Sequence, residues 1–84
     1  MAEQARLKLR VINPNTVVFD GEVEHIMAPG TRGTLGILPG HTPFFAELVK
    51  GQVIVTSQGK DQVFEMEAGF IKVRADEVTV LIGL

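Results

Sequence analysis

The chain has 84 residues, 8 basic and 10 acidic, with a net charge of −2, so it has room for one small domain, residues 1–84, and not for two. The scattered, nearly balanced charge argues against a footprint for nucleic acid or an anionic membrane surface. With no cysteine, disulfide staples, thiolate metal sites and thiol nucleophiles are excluded, while 45% hydrophobic residues suit a folded globule.

The N-terminus, Met1 to Arg10, mixes charge with leucine and lacks the apolar core of a signal peptide. No run approaches the ~18 apolar residues of a spanning helix, and a soluble, cytosolic chain is expected. Leu7, Leu9 and Val11 alternate with Arg6, Lys8 and Arg10, which predicts a half-buried strand with a basic outer face. Asn13-Pro14-Asn15 ends it, because proline lacks a ladder donor and asparagine tolerates turn geometry. Residues 16–19 read as a short strand. Asp20-Gly21, a pair favoured where both central turn residues need positive φ, then predicts a hairpin into residues 22–28.

Val23 and Ile26 lie three apart and cannot share one face of a regular strand, which predicts a β-bulge near Glu24-His25. Pro29-Gly30 and Arg32-Gly33 are expected turns. Residues 41–48 admit two readings. Thr42 and Pro43 could start a short helix, whereas Phe44-Phe45 and the early stop at Lys50-Gly51 favour a strand. Val53, Val55 and Ser57 alternate up to a turn at residues 58–61. Further alternation through Phe64-Met66-Ala68, Ile71-Val73-Ala75 and Val78-Val80-Ile82 completes a pattern with turns every eight to twelve residues. Such spacing, with no long 3.6-residue period, indicates an all-β sandwich or barrel.

No catalytic constellation emerges. Gly30, Gly33 and Gly36 recur every third residue, but a phosphate cradle needs a following helix and usually a lysine, and Leu38-Pro39-Gly40 follows instead. His25 and His41 with Glu22 and Glu24 lack tight metal-ligand spacing. Ser57 sits in a strand pattern rather than on a nucleophile elbow, and five Phe without Tyr or Trp do not make a base-stacking platform. What stands out is surplus apolar surface. Val53/Ile54/Val55, Val63/Phe64, Phe70/Ile71 and Val80/Leu81/Ile82 place apolar residues on both faces of their strands, which favours a docking module.

The segment Gly33-Thr34-Leu35-Gly36-Ile37-Leu38-Pro39-Gly40-His41-Thr42-Pro43 resembles the signature of the epsilon subunit of F-type ATP synthases, called delta in mitochondria. Phe19-Asp20-Gly21, Glu22-Val23, Leu48-Val49-Lys50-Gly51, Ala68-Gly69-Phe70 and residues 78–81 follow in family order, so the resemblance runs from about Leu7 to Leu84. It implies a flattened β-sandwich of about ten short strands in two sheets, and makes Phe44 to Val49 a strand. It also implies a non-catalytic central-stalk subunit without cofactor or metal. Such a subunit clamps gamma, rests on the membrane ring of c subunits and couples proton translocation to ATP synthesis. The expected place is the cytoplasmic face of a bacterial membrane, peripheral and without insertion. A free-standing cupin-like metal or ligand module is the alternative.

Carried over by position, His41 is the histidine of the Pro-Gly-His motif beside gamma. Asn13 and Ala46 fall at flanking gamma-facing positions, although their residue types match no motif. Arg32, Gly33 and Thr34 form the tip that meets the c ring. Relatives often place a carboxylate where Thr34 stands, so Arg32 is expected to set the polarity there. The usual family member continues into a two-helix domain that inhibits hydrolysis and in some bacteria binds ATP. These 84 residues contain no such helices, and neither activity is expected of them.

Overall fold

A computed structural model describes residues 6–83, and these form nine strands. They are β1 (Leu7–Ile12), β2 (Val17–Val23), β3 (His25–Gly30), β4 (Gly33–Ile37), β5 (Phe44–Leu48), β6 (Gly51–Ser57), β7 (Lys60–Met66), β8 (Gly69–Arg74) and β9 (Glu77–Ile82). Residues 44–48, ambiguous between helix and strand on their own pattern, are strand β5.

Hydrogen bonding runs in the order β2-β1-β9-β8-β5-β3-β6-β7, with β4 on the other side of β3. The network curls into two layers. β2, β1, β9, β8 and β5 form the first, and β4, β3, β6 and β7 the second. The layers are joined through a single pair, Gly30↔Leu48. Neighbouring strands are antiparallel except β1 and β9, which run parallel. At the opposite margin Glu24 N–H donates to the Thr56 carbonyl, and Phe19 meets Phe64 edge-on at 5.9 Å. The result is an all-β sandwich of nine strands among the described residues.

Strict alternation explains the core. Leu7, Leu9 and Val11 of β1 are buried, as are Val78, Val80 and Ile82 of β9 and Ile71 and Val73 of β8. They face Ile26, Ala28, Ile37, Val53, Val55 and Met66 from the second layer. Every buried side chain among the described residues that carries polar or charged atoms would need a partner inside; there is none to satisfy. Each fully buried Leu, Ile or Val contributes about 1.5–3 kcal/mol, which must offset the ordering of its own stretch of backbone.

Two local expectations are corrected. Asp20-Gly21 is not a turn but lies inside β2, where Asp20 pairs with Arg10 and Gly21 with Leu9. The turn comes earlier. Asn13 Oδ1 accepts the backbone N–H groups of Asn15 and Thr16, both at 2.8 Å, and Asn13 N–H donates to the Thr16 carbonyl. Once that turn closes, the register carries Asp20 opposite Arg10, 3.7 Å away as an exposed ion pair. Pairing along β1 therefore overrides the local preference of Asp-Gly. Pro29-Gly30 also belongs to a strand, and the turn of the β3–β4 hairpin is Thr31-Arg32.

The phase slip at Glu24-His25 has a different origin from a bulge in one strand. β2 ends at Val23, the chain bends at Glu24, and β3 starts at His25 in the other layer. Val23 and Ile26 both reach the core because the chain changes layers between them.

Candidate docking site

The glycine-rich segment becomes β4 followed by a tight turn. Within Leu38-Pro39-Gly40-His41 the His41 N–H donates to the Leu38 carbonyl at 3.1 Å, and Gly40 has φ +83°. Proline fixes φ at the second position, and glycine supplies the positive φ that a type II turn requires at the third. Gly40 N–H is held from outside the turn by the Asp76 carboxylate at 2.8 Å. His41 is half-buried. Its ring lies 4.9 Å from that of Phe44, and its Nδ1 is 2.7 Å from the Thr42 carbonyl oxygen. The ring is thus fixed against the start of β5.

Surplus apolar residues lie on both outer faces: Met27, Ile54 and Val63 line up across the second layer, and a longer row, the one adjoining the His41 turn, crosses the first. Phe44, Ala46 and Leu48 point inward against the core, so Phe45 and Glu47 point outward. Phe45 is 65% exposed and stacks on Phe70, ring centres 5.4 Å apart and 14° from parallel. Phe70 lies opposite Leu81, Leu81 opposite Ile12, and Ile12 opposite the exposed Val17. A diagonal apolar stripe therefore crosses all five strands of this layer. It starts beside the Asn13 turn and ends at Phe45, four residues after His41. Tight cross-strand aromatic and aliphatic pairing makes it a firm surface.

The sequence-derived residues fall at distinct places. Asn13 and His41 sit at opposite ends of the first layer, joined by that stripe. Asn13 spends its side-chain oxygen on the β1–β2 turn. Ala46 faces the core from β5 and lies beneath the outer face rather than on it. Arg32, Gly33 and Thr34 are exposed at the β3–β4 hairpin, closed by the Gly30↔Gly33 pair, with Gly33 at φ +124°. Arg32 makes no ion pair among the described residues. His25, His41, Glu22 and Glu24 do not converge, and no three His, Asp or Glu side chains among the described residues gather into a metal-sized cluster.

Phe45 and Asp76 escaped the sequence reading. The strand reading of Phe44 to Val49 left open which alternate residues face the core, so Phe45 gained an outward face only from the packing of Phe44, Ala46 and Leu48, and the Asp76 bond spans a separation of 36 residues.

Residues 6–83 match the family model described as the ATP synthase, Delta/Epsilon chain, beta-sandwich domain. The chain belongs to this family. It is 43% identical over 77 residues to the ATP synthase epsilon chain of Synechococcus sp. (strain WH7803), covering 92% of this chain and 57% of that protein. The epsilon chain of Leptospira interrogans (strain Fiocruz L1-130) is 34% identical over 76 residues, covering 90% and 60%. The chain thus spans less than two thirds of the length of these relatives. In fold it is similar to a chain of the Euglena gracilis mitochondrial ATP synthase, OSCP/F1/c-ring in rotational state 1. That likeness has a TM-score of 0.88 at 22% identity, over 93% of this chain and 51% of that one. A chain of the Tetrahymena thermophila mitochondrial ATP synthase central stalk and c-ring gives 0.78 at 12% identity, over 96% and 66%. Membership of this family argues against a free-standing cupin-like module.

Proposed function

We propose that the chain is the β-sandwich of an epsilon-type subunit in the central stalk of an F-type ATP synthase, and that it carries out no chemistry itself. It docks on gamma through the His41 turn and the diagonal stripe of Phe45, Phe70, Leu81, Ile12 and Val17. Asn13 borders the far end of that stripe, and Ala46 supports it from beneath. The Arg32-Gly33-Thr34 tip faces the ring of c subunits. Held at both places, the sandwich turns with gamma and the ring, so that proton translocation drives ATP synthesis. Its place is the cytoplasmic face of a bacterial membrane, as a peripheral part of the complex.

The observation that carries this reading is the stripe. Its apolar side chains are displayed on rigid paired strands, next to the motif by which the family is recognised. Interfaces concentrate their energy in a few such central aromatic and aliphatic anchors, and polar rim contacts contribute modestly. The test is co-purification with the gamma subunit and c ring of the parent complex. Stoichiometric recovery with gamma is expected, with Phe45→Glu weakening it by about 2 kcal/mol or more. Failure of the unaltered chain to bind gamma under conditions that assemble the complex would refute the proposal.

A further inference from the structure

Asp76 ties together three segments that are remote in sequence. It is the second residue of the Ala75-Asp76 turn between β8 and β9, with φ +65°. Its backbone carbonyl accepts the Lys8 N–H at 2.8 Å, which fixes the turn to the start of β1. Its carboxylate accepts the Gly40 N–H, also at 2.8 Å. A β-turn closed between its first and fourth residues leaves the third N–H without a partner inside the turn. Here that third residue is Gly40, and the charged oxygen supplies the missing acceptor. Charge-assisted bonds of this kind are the stronger ones.

We propose that Asp76 is a positioning residue for the Leu38-Pro39-Gly40-His41 turn, setting where His41 stands relative to the outer face. The consequence for partner binding rests on the docking reading above. Phe44 supports the imidazole from one side and the His41–Leu38 bond closes the turn from within, while the Asp76 bond fixes that turn to the β8–β9 end of the sandwich. The anchor is itself rigid, because Asp76 sits in a tight two-residue turn held to β1.

Two substitutions separate the carboxylate from the backbone. Asp76→Gly tolerates the positive φ and keeps the carbonyl that receives Lys8 N–H, yet removes the carboxylate. Asp76→Asn keeps an acceptor oxygen at the same place. Amide hydrogen exchange, resolved at Gly40 and Lys8, and affinity for the gamma subunit of the same complex are the two readouts. In Asp76→Gly, Gly40 should exchange about fivefold faster while Lys8 is unchanged, and gamma should bind about fivefold more weakly. Asp76→Asn should restore both to within about twofold. A general loss of stability would instead speed Lys8 together with Gly40. Unchanged Gly40 exchange in Asp76→Gly overturns the proposal. So does faster Gly40 exchange with full gamma affinity, provided His41→Ala loses affinity. If His41→Ala also binds normally, docking at this turn is what fails, and the exchange result alone upholds Asp76 as its positioning residue.

Discussion

Gly69 is the position where a single methyl group should do the most damage. It begins β8, is buried, and pairs with Leu48 of β5 on one side and Ile82 of β9 on the other. A Cβ added there would run into the Leu81 carbonyl oxygen, with Met66 Cε 2.6 Å away and the Leu81 carbonyl carbon 3.1 Å away. The methionine end can rotate aside. The β9 backbone cannot, because moving it strains the Phe70↔Leu81 and Gly69↔Ile82 pairs on one side and the β1 ladder on the other. Overpacking a rigid site costs about 1–3 kcal/mol, and a backbone obstacle puts Gly69→Ala near the top, at about 3 kcal/mol. A domain of this size holds only about 4–12 kcal/mol in all. The melting temperature should therefore fall by about 12–24 °C. Gly36→Ala is the control, since its Cβ would meet only His25 Nε2 at 3.8 Å, and its cost should stay within about 0.5 kcal/mol. Urea unfolding followed by circular dichroism, with thermal melts alongside, measures both. A loss below about 1 kcal/mol in Gly69→Ala would refute the reasoning, because it would mean that β9 yields freely near its C-terminal end.

Ala46→Glu and Phe45→Glu, adjacent but on opposite faces of β5, should separate folding from docking. The first drives a charge toward the core and should cost the isolated chain about 2 kcal/mol or more, whereas the second should cost the fold only about 1 kcal/mol from the lost Phe70 stack. Gamma titration of the two, corrected for the folded fraction, should then show the larger affinity loss in Phe45→Glu. Arg32→Ala at the exposed tip should loosen attachment to the c ring by less than about 1 kcal/mol, in a salt-dependent way, as read from sedimentation of ring complexes at two ionic strengths. Ala75, at φ +49°, occupies a conformation that disfavours a Cβ by about 1–2 kcal/mol, and Ala75→Asn should stabilise the domain by about 0.5 kcal/mol in the same urea assay.

Much of this architecture could be read from alternation alone. Leu7-Leu9-Val11 and Val78-Val80-Ile82 bury their alternate residues as their spacing requires, and Gln58-Gly59 turns the chain where glycine and polar residues cluster. What failed was reading turn chemistry without knowing register. Asp20-Gly21 has the right composition for a hairpin turn, but the Asn13 turn closes first in sequence and commits both residues to pairing with β1. The Val23–Ile26 spacing was a genuine signal of irregularity, whose meaning, a change of layer, depends on a partner far along the chain. The same holds at the candidate site. Pro39-Gly40 announces its own turn, yet neither the outward aim of Phe45 nor the reach of Asp76 is encoded locally. Each depends on which strand lies beside β5 and which turn ends up beside Gly40.

The parallel pairing of β1 with β9 bears on how the chain can be made. During synthesis β1 and β2 can close their hairpin early, but β1 then waits with one ladder unfilled until β9, at Glu77–Ile82, has emerged. The strand that fills it must slot between β1 and β8, pairing Leu9 with Val78 on one side and Val73 with Val78 on the other. Closing so long a loop is slow, and an open strand edge is adhesive while it lasts. Lys72 and Arg74 put positive charge on the waiting edge of β8, whereas Lys8 and Arg10 of β1 already face Glu22 and Asp20 of β2. Two unfinished copies would therefore repel one another at the β8 edge, until β9 arrives and sets Glu77 opposite Arg74.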